Sequence, residues 1–100
     1  MGVIAEITGA VLLAVDSIPS GRVVSYGTIA RLVGRAGPRA VARVLSGSGG
    51  QVNWWRVVRA DGSIAPHLVA EATIRLAAEG VEVRNGRVDM ARHGIDPGLL

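Results

Sequence analysis

Proline and glycine interrupt the apolar pattern of this chain at short intervals, and this limits its helices to a few turns each. Apolar residues recur at near-helical spacing over Ile4–Val15, and Pro19 and Gly21 follow that segment. A first helix is therefore predicted there. Gly37 and Pro38 interrupt the chain again, and proline is favoured in the first turn of a new helix. The first half of the chain is thus expected to form short helices joined by tight turns.

Two such helices are predicted at Tyr26–Val33 and Pro38–Ser46, after a short strand at Val23–Val24. Ser25 is a favoured N-cap residue, and Gly34 suits the position just beyond a helix end. Two short helices joined by a tight turn that contains glycine form a helix-turn-helix, whose second helix enters a groove of DNA. An ordinary helical hairpin has the same pattern. The distribution of charge is therefore needed to distinguish a DNA-binding helix-turn-helix from such a hairpin.

No Asp or Glu occurs from Ser17 to Ala60, although the net charge of the whole chain is only +3. This segment carries seven arginines: Arg22, Arg31, Arg35, Arg39, Arg43, Arg56 and Arg59. A basic segment without acids is typical of a surface that binds a polyanion, most often nucleic acid. Arg39 and Arg43 are four residues apart in the second helix of the pair and therefore share one face. Together the arginine segment and the helix pair predict a DNA-binding protein.

The second half of the chain predicts short strands and one more helix. These elements are a strand at Gln51–Val58, a helix at Leu68–Ala78, a β-hairpin at Val81–Met90 around Asn85-Gly86, and a loosely docked tail at Ala91–Leu100. The predicted fold class is α+β and mainly helical. We expect a single winged-helix-like domain over residues 1–100, with a helix-turn-helix and a C-terminal β-hairpin.

Composition excludes several classes of function. The chain has no cysteine, which excludes disulfides, thiolate metal sites and a cysteine nucleophile. His67 and His93 are 26 residues apart with no ligand-spaced cluster around them, so neither a metal nor a cofactor is expected. No serine has an evident partner base, and no catalytic residue is predicted. We further expect a monomeric cytoplasmic protein that does not bind membranes, because no long apolar run, apolar stripe or secretory signal is visible.

The chain has three aromatic residues, and two of them, Trp54 and Trp55, are adjacent. In an extended strand their rings would point to opposite faces, so that only one could easily enter the core. Either both rings are nevertheless buried, as is usual for tryptophan, or one lines a pocket that takes a nucleic-acid base by stacking.

Four segments resemble motifs of the O6-alkylguanine-DNA alkyltransferases, and they follow in that family's order at compatible spacing. Ile18–Ala30 (IPSGRVVSYGTIA) resembles the motif IPxGxVxTYGxIA, and Gly37–Val41 resembles the start of the family's recognition helix. Asn53–Val58 (NWWRVV) stands where the family has PCHRVV, and Leu76–Val81 resembles the segment LLxxEGV. The resemblance covers roughly residues 3–82 and implies the fold of the family's DNA-binding domain.

One departure from these motifs changes the activity that the resemblance implies. Trp54 aligns with the family's nucleophilic cysteine and Trp55 with its general-base histidine, and only Glu79 of the thiol-activating relay is present. Tryptophan is not a nucleophile at neutral pH, so the chain is expected to have no alkyl-transfer activity. Tryptophan in place of the cysteine is typical of alkyltransferase-like proteins. These bind alkylated guanine in DNA without repairing it and pass it to nucleotide excision repair.

The resemblance also assigns roles to single residues. Tyr26 is similar to the tyrosine that rotates the target nucleotide out of the helix. Arg39 is similar to the arginine finger that fills the vacated base stack from the minor groove, and Arg43 is the alternative finger. The expected DNA-binding residues are Tyr26, Thr28, Arg39, Ala40 and Arg43, and the expected lesion pocket consists of Tyr26, Trp54, Trp55, Arg56 and Val57. Arg56 is also expected to brace the pocket loop. His67 lies near the position of the family's lesion-binding loop, which is shorter here.

The expected partners are therefore double-stranded DNA that contains O6-alkylguanine and, after it, proteins of nucleotide excision repair. Two alternatives stay open. One is a general winged-helix DNA-binding protein, architectural or regulatory, that does not flip bases and binds damaged and undamaged DNA equally. The other is a protein-interaction domain, for which the nearly charge-free tail Gly94–Leu100 is the support.

Overall fold

The computed structural model describes residues 3–100, and their first half forms three helices as the sequence predicts. Helix α1 is Val3–Asp16, α2 is Tyr26–Val33 and α3 is Pro38–Ser46. The three helices pack on one another around a first core cluster, whose buried residues include Val11, Val15, Ile18, Ile29, Val41, Leu45 and Val57. The side chain of Ile4, the first residue of the apolar pattern that predicted α1, lies outside the described part of the structure.

Local hydrogen bonds set the bounds of α2. The Ser25 side-chain oxygen accepts a hydrogen bond from the Thr28 backbone N–H at 3.0 Å, as expected of an N-cap. Gly34 ends the helix with a φ of +81°, and its N–H donates to the Ala30 carbonyl at 2.9 Å. Only a residue that tolerates the left-handed region without strain suits this position. The predicted helix-turn-helix, α2 followed by α3, is confirmed.

The predicted strand at Gln51–Val58 is wrong over most of its length. Only β2, Val57–Val58, is a strand, and it pairs in parallel with β1, Val24–Ser25. Trp54–Arg56 forms a turn of 3-10 helix instead. Tertiary contacts of these three side chains, described below, override the preference of tryptophan for extended structure.

The rest of the second half follows the prediction more closely. Helix α4 is Val69–Ala78, and the hairpin consists of β3, Val83–Arg84, paired antiparallel with β4, Arg87–Val88. Asn85 and Gly86 have φ angles of +54° and +71°, as a tight two-residue turn requires. The hairpin is shorter than predicted, because Met90 already begins another helix. A second core cluster packs between α4 and the hairpin, and its buried residues are Val23, Val58, Ile64, Ala72, Leu76, Val81 and Val88.

The C-terminal segment is docked, and the prediction of a loose tail is wrong. Helix α5 is Met90–His93. Beyond it the chain runs alongside Val23: the Val23 N–H donates to the His93 carbonyl at 2.9 Å, and the Ile95 N–H donates to the Val23 carbonyl at 3.1 Å. Val23 is fully buried, so both of its backbone groups need partners inside the protein. Ile95 and Leu100 also pack against the first core cluster.

The fold class is α+β and mainly helical, with a helix-turn-helix and a C-terminal hairpin, as predicted. The two core clusters meet at Trp54, which packs against both of them. The 3-10 turn Trp54–Arg56 therefore lies where the three-helix half joins the half that contains α4 and the hairpin. None of the described helices has the length and apolar character needed to cross a membrane.

Candidate functional site

A cavity of about 330 Å³ opens between the C-terminal half of α3 and the turn that contains Trp54. It is lined by Tyr26, Ala42, Leu45, Ser46, Gly49, Gly50, Trp54, Ala65, His67 and Leu68. This volume is at the small end of the range of about 300–1,000 Å³ that is usual for ligand sites. The lining has no Asp or Glu and is mostly apolar or small, with a hydroxyl or imidazole from Tyr26, Ser46 and His67.

Tyr26 lies at the start of α2, directly after the paired residue Ser25 of β1. Partial burial raises the pKa of its phenol, and the positive charge of Arg59 lowers it by a smaller amount. The net pKa is above the ordinary value, so the phenol is neutral at neutral pH. It can therefore both donate and accept a hydrogen bond at the cavity wall.

Trp54 lines the cavity and is half-buried. Its ring stands edge to face with Trp55, with ring centroids 5.9 Å apart and planes at 87°. Such T-shaped pairs are the preferred aromatic geometry and fix both rings. Trp54 thus presents an ordered aromatic surface to the cavity.

Trp55, a residue of the predicted lesion pocket, does not line this cavity. Its indole Nε1–H donates to the Glu79 carboxylate at 2.8 Å. Its ring lies beside two guanidinium groups, with the Arg75 carbon 4.6 Å and the Arg56 carbon 5.5 Å from the ring centroid. Cation–π contacts and a charge-assisted hydrogen bond therefore direct this ring towards α4 instead.

Arg56 and Val57, the other two residues of the predicted pocket that are absent from the lining, also lie outside this cavity. Arg56 forms an ion pair with Glu79 at 2.7 Å, and the two side chains are only 12% and 10% exposed. Its Nη1 also donates to the Ile18 carbonyl at 2.7 Å. Val57 is buried in the first core cluster. Arg56 therefore ties the Trp54–Arg56 turn to the end of α4 and to the loop after α1, the bracing role expected from the sequence.

Glu79 is the centre of this hydrogen-bonded cluster. Burial raises the pKa of its carboxyl group. Hydrogen bonds from Arg56, from the Gly21 N–H at 3.0 Å and from Trp55, together with the charge of Arg56, lower that pKa by more. The pKa of Glu79 therefore lies below its ordinary value, and the carboxylate is ionised at neutral pH.

The exposed surface of the helix-turn-helix carries the other predicted residues. Arg39 and Arg43 are exposed on α3, and Ala40 between them is half-buried. The Thr28 side-chain oxygen accepts hydrogen bonds from Ser25 at 3.0 Å and from Arg31 at 3.3 Å, so Thr28 belongs to the N-terminal cap of α2.

Two arginines of the acid-free segment are neutralised by acids that are distant in sequence. Arg35 pairs with Glu6 at 3.0 Å, and Arg56 pairs with Glu79. The other five arginines of this segment form no ion pair with the carboxylates that the structure describes. The basic surface is thus smaller than the sequence predicts, but Arg39 and Arg43 belong to the part that keeps its charge.

Sequence reasoning missed the side of the cavity that α3 and the following loop provide. Ala42 and Ser46 are small residues four apart, so they lie on one face of α3, and Gly49 and Gly50 continue the wall. The small residues of the segment Ser46–Gly50 were a signal for this wall, because they leave space beside the neighbouring aromatic residues. Arg59, next to Tyr26, was also not assigned a role.

Residues 6–81 match the family model described as the DNA-binding domain of 6-O-methylguanine DNA methyltransferase. A DNA base-flipping protein of Vibrio parahaemolyticus is 29% identical over 93 residues, which cover 87% of this chain and 93% of that protein. A bifunctional methyltransferase/endonuclease of Picrophilus torridus is 33% identical over 81 residues, which are 76% of this chain. The matched region spans only 27% of the length of the Picrophilus protein.

Two solved structures have the same fold along nearly their whole length. S. pombe Atl1, in a crystal with damaged DNA containing O6-carboxymethylguanine, has a TM-score of 0.83 and 28% sequence identity. S. pombe ATL in complex with DNA has a TM-score of 0.81 and 30% identity. Each similarity covers 93% of this chain and 97% of the other.

Proposed function

This chain belongs to the family of the 6-O-methylguanine DNA methyltransferase DNA-binding domain, and we propose that it is a sensor that binds O6-alkylguanine in duplex DNA without repairing it. The observation that carries the proposal is the cavity beside α3, which has Tyr26 and Trp54 in its wall and no cysteine thiol. In this proposal the protein acts as a monomer and marks the lesion for nucleotide excision repair.

The helix-turn-helix is the surface proposed to dock on DNA, in the minor groove. The exposed arginines of α3 would contact the phosphates, and Thr28 and Ala40 would lie at the same interface. Arg39 is the proposed finger in the vacated base stack. Arg43 lines a groove between α3 and α1 together with Ile7, which favours Arg39 for the projecting role.

Base flipping is energetically reasonable for this site. Unstacking a base costs on the order of a few kcal/mol per step. Stacking on an aromatic side chain recovers about 1–3 kcal/mol per base, and Trp54 is ordered for such a contact by its T-shaped pairing with Trp55. Contacts of the arginines with phosphates offset the remainder.

The residues in place of the family's catalytic pair support binding without reaction. Trp54 has no nucleophilic group, and the chain has no cysteine that could replace it. The Trp55 indole can donate but not accept a hydrogen bond, so it cannot take up a proton as a base. Glu79 is engaged in its ion pair with Arg56. The protein is therefore not expected to accept an alkyl group from the lesion.

The test is a titration of two short duplexes that differ only by O6-methylguanine at one position, at fixed salt. We expect at least tenfold tighter binding to the lesion, with a change in tryptophan emission because the base stacks on Trp54. Trp54→Phe should abolish the emission change. The matched control Trp55→Phe should keep it, because Trp55 does not line the cavity.

Equal affinity for the two duplexes with unchanged emission would contradict lesion sensing. The protein would then be a general DNA-binding protein with the family's fold. Coupling to excision repair is tested separately: deleting the gene should sensitise cells to alkylation only when their excision pathway is intact.

A further inference from the structure

Arg59 lies beside Tyr26 because of the way the two short strands pair. β1 and β2 run parallel with Ser25 opposite Val58, so the next residues, Tyr26 and Arg59, leave the strands at the same end. The positive charge of Arg59 acts on the Tyr26 phenol and lowers its pKa against the larger effect of burial. Strand register and electrostatics thus both bring the guanidinium near the tyrosine of the cavity.

The backbone that carries Arg59 is fixed on both sides. The Arg59 N–H donates to the Ser63 carbonyl at 2.9 Å, and the Arg59 carbonyl accepts from the Gly62 N–H at 2.8 Å. The Gly62 carbonyl accepts from the Val88 N–H at 2.9 Å, which anchors this turn to the hairpin. Gly62 has a φ of +87°, and a Cβ there would overlap the Val88 carbonyl oxygen. Arg59 is therefore an exposed side chain on an ordered turn.

The charge of Arg59 is not neutralised by the carboxylates that the structure describes. The nearest acid in sequence, Asp61, pairs with Arg87 at 3.3 Å and accepts a hydrogen bond from the Ser63 N–H at 2.9 Å. Asp61 is thus committed to the turn and the hairpin. Arg56, three residues before Arg59, has Glu79 as its partner and differs from Arg59 in this respect.

We propose that Arg59 binds a phosphate of the DNA strand whose base enters the cavity, next to Tyr26. The proposal rests on the proposed function, because it assumes that a nucleotide reaches the cavity wall formed by Tyr26. An unpaired guanidinium on an ordered turn suits a phosphate, since its planar fork of N–H donors matches two phosphate oxygens. This contact would hold the strand while Tyr26 and Trp54 contact the displaced nucleotide.

The experiment compares Arg59→Gln with the matched control Arg84→Gln. Arg84 is also exposed, but it lies in the hairpin and pairs with Glu82. Arg59→Gln should weaken binding to damaged and undamaged duplexes by a similar factor of about ten. It should also reduce the slope of log affinity against log salt by about one, as expected for one lost phosphate contact. Arg84→Gln should change neither quantity.

Duplexes with one neutral methylphosphonate identify the phosphate. At one position near the lesion, the substitution should weaken the wild type and Arg84→Gln but leave Arg59→Gln unchanged. The proposal is overturned if Arg59→Gln binds DNA with the same affinity as Arg84→Gln. It is also overturned if every methylphosphonate lowers the affinity of Arg59→Gln by the same factor as that of the wild type.

A measurement without DNA tests the geometry. Tyr26 is the only tyrosine of the chain, so its ionisation can be followed by ultraviolet absorbance. The pKa of Tyr26 should rise in Arg59→Gln and stay unchanged in Arg84→Gln; no rise in Arg59→Gln would also overturn the proposal.

The two proposals can fail separately. If the wild-type protein binds both duplexes equally, lesion sensing is rejected. The comparison of Arg59→Gln with Arg84→Gln on undamaged DNA would still decide whether Arg59 binds a phosphate. Binding to neither duplex would reject both proposals.

Discussion

Arg39 and Arg43 differ in their surroundings although one helical turn separates them. Both are exposed on α3, but Arg43 faces a groove shared with α1, where Ile7 and Val44 also lie. Arg39 is in the first turn of α3, directly after the turn of the helix-turn-helix. A side chain that enters a base stack must leave the protein surface, and Arg39, unlike Arg43, does not line that groove.

Arg39→Ala should therefore weaken binding to the O6-methylguanine duplex by about tenfold or more, the loss expected for one stacking contact. The melting temperature should hardly change, because exposed substitutions usually alter stability by less than about 0.5 kcal/mol. Affinity and thermal unfolding are measured on the same preparation. A larger affinity loss in Arg43→Ala than in Arg39→Ala would assign the finger to Arg43.

At the scale of elements, the short strand β1 depends on two partners that are far away in sequence. β2 pairs with Val24 and Ser25, while the segment after α5 pairs with Val23. The residues before Tyr26 are thus held from both sides. The orientation of α2, and with it the position of Tyr26 at the cavity, is coupled to the C-terminal segment.

Ile95→Ala should lower the free energy of unfolding by about 1–2 kcal/mol. This is less than the loss for a fully buried isoleucine, because the Ile95 side chain is only half-buried. Leu99→Ala is the matched control, since Leu99 is 75% exposed, and it should have almost no effect. Urea denaturation measures both. Equal, small effects would mean that the C-terminal segment adds little stability.

At the scale of the whole molecule, Glu79 joins parts of the chain that are distant in sequence. It follows α4 and accepts hydrogen bonds from Gly21 in the loop after α1 and from Trp55 and Arg56 in the 3-10 turn. The two core clusters therefore share one hydrogen-bonded cluster at their junction. In this chain Glu79 acts as a structural group.

This arrangement predicts a pH dependence of stability. The pKa of Glu79 is lower in the folded than in the unfolded protein, so its contribution is fully present above the unfolded pKa, about 4.3. The contribution is lost as the pH falls through the lower, folded pKa. Glu79→Gln should reduce the free energy of unfolding by about 1–3 kcal/mol at neutral pH, and the difference from wild type should shrink in acid. A difference that is the same from pH 7 to pH 3 would contradict this role.

Local sequence is enough to predict the features that depend on neighbours a few residues away. Ser25 and Gly34 fix the ends of α2, Pro38 starts α3, and Asn85-Gly86 sets the hairpin, because caps and tight turns are satisfied by local backbone geometry. The motif order also identified the family, which the match over residues 6–81 confirms.

Contacts between distant parts of the chain determine which indole lines the cavity and where the last residues lie. Trp54 and Trp55 are equivalent in the local pattern, and a glutamate 24 positions away from Trp55 separates their roles. Val23 holds the C-terminal segment through hydrogen bonds that no local pattern encodes. The neutralisation of Arg35 and Arg56 likewise depends on acids outside the arginine segment. Each of these features depends on a contact between distant parts of the chain. Such a contact can stabilise the fold only after the chain has brought the two parts together, at a cost in loop-closure entropy.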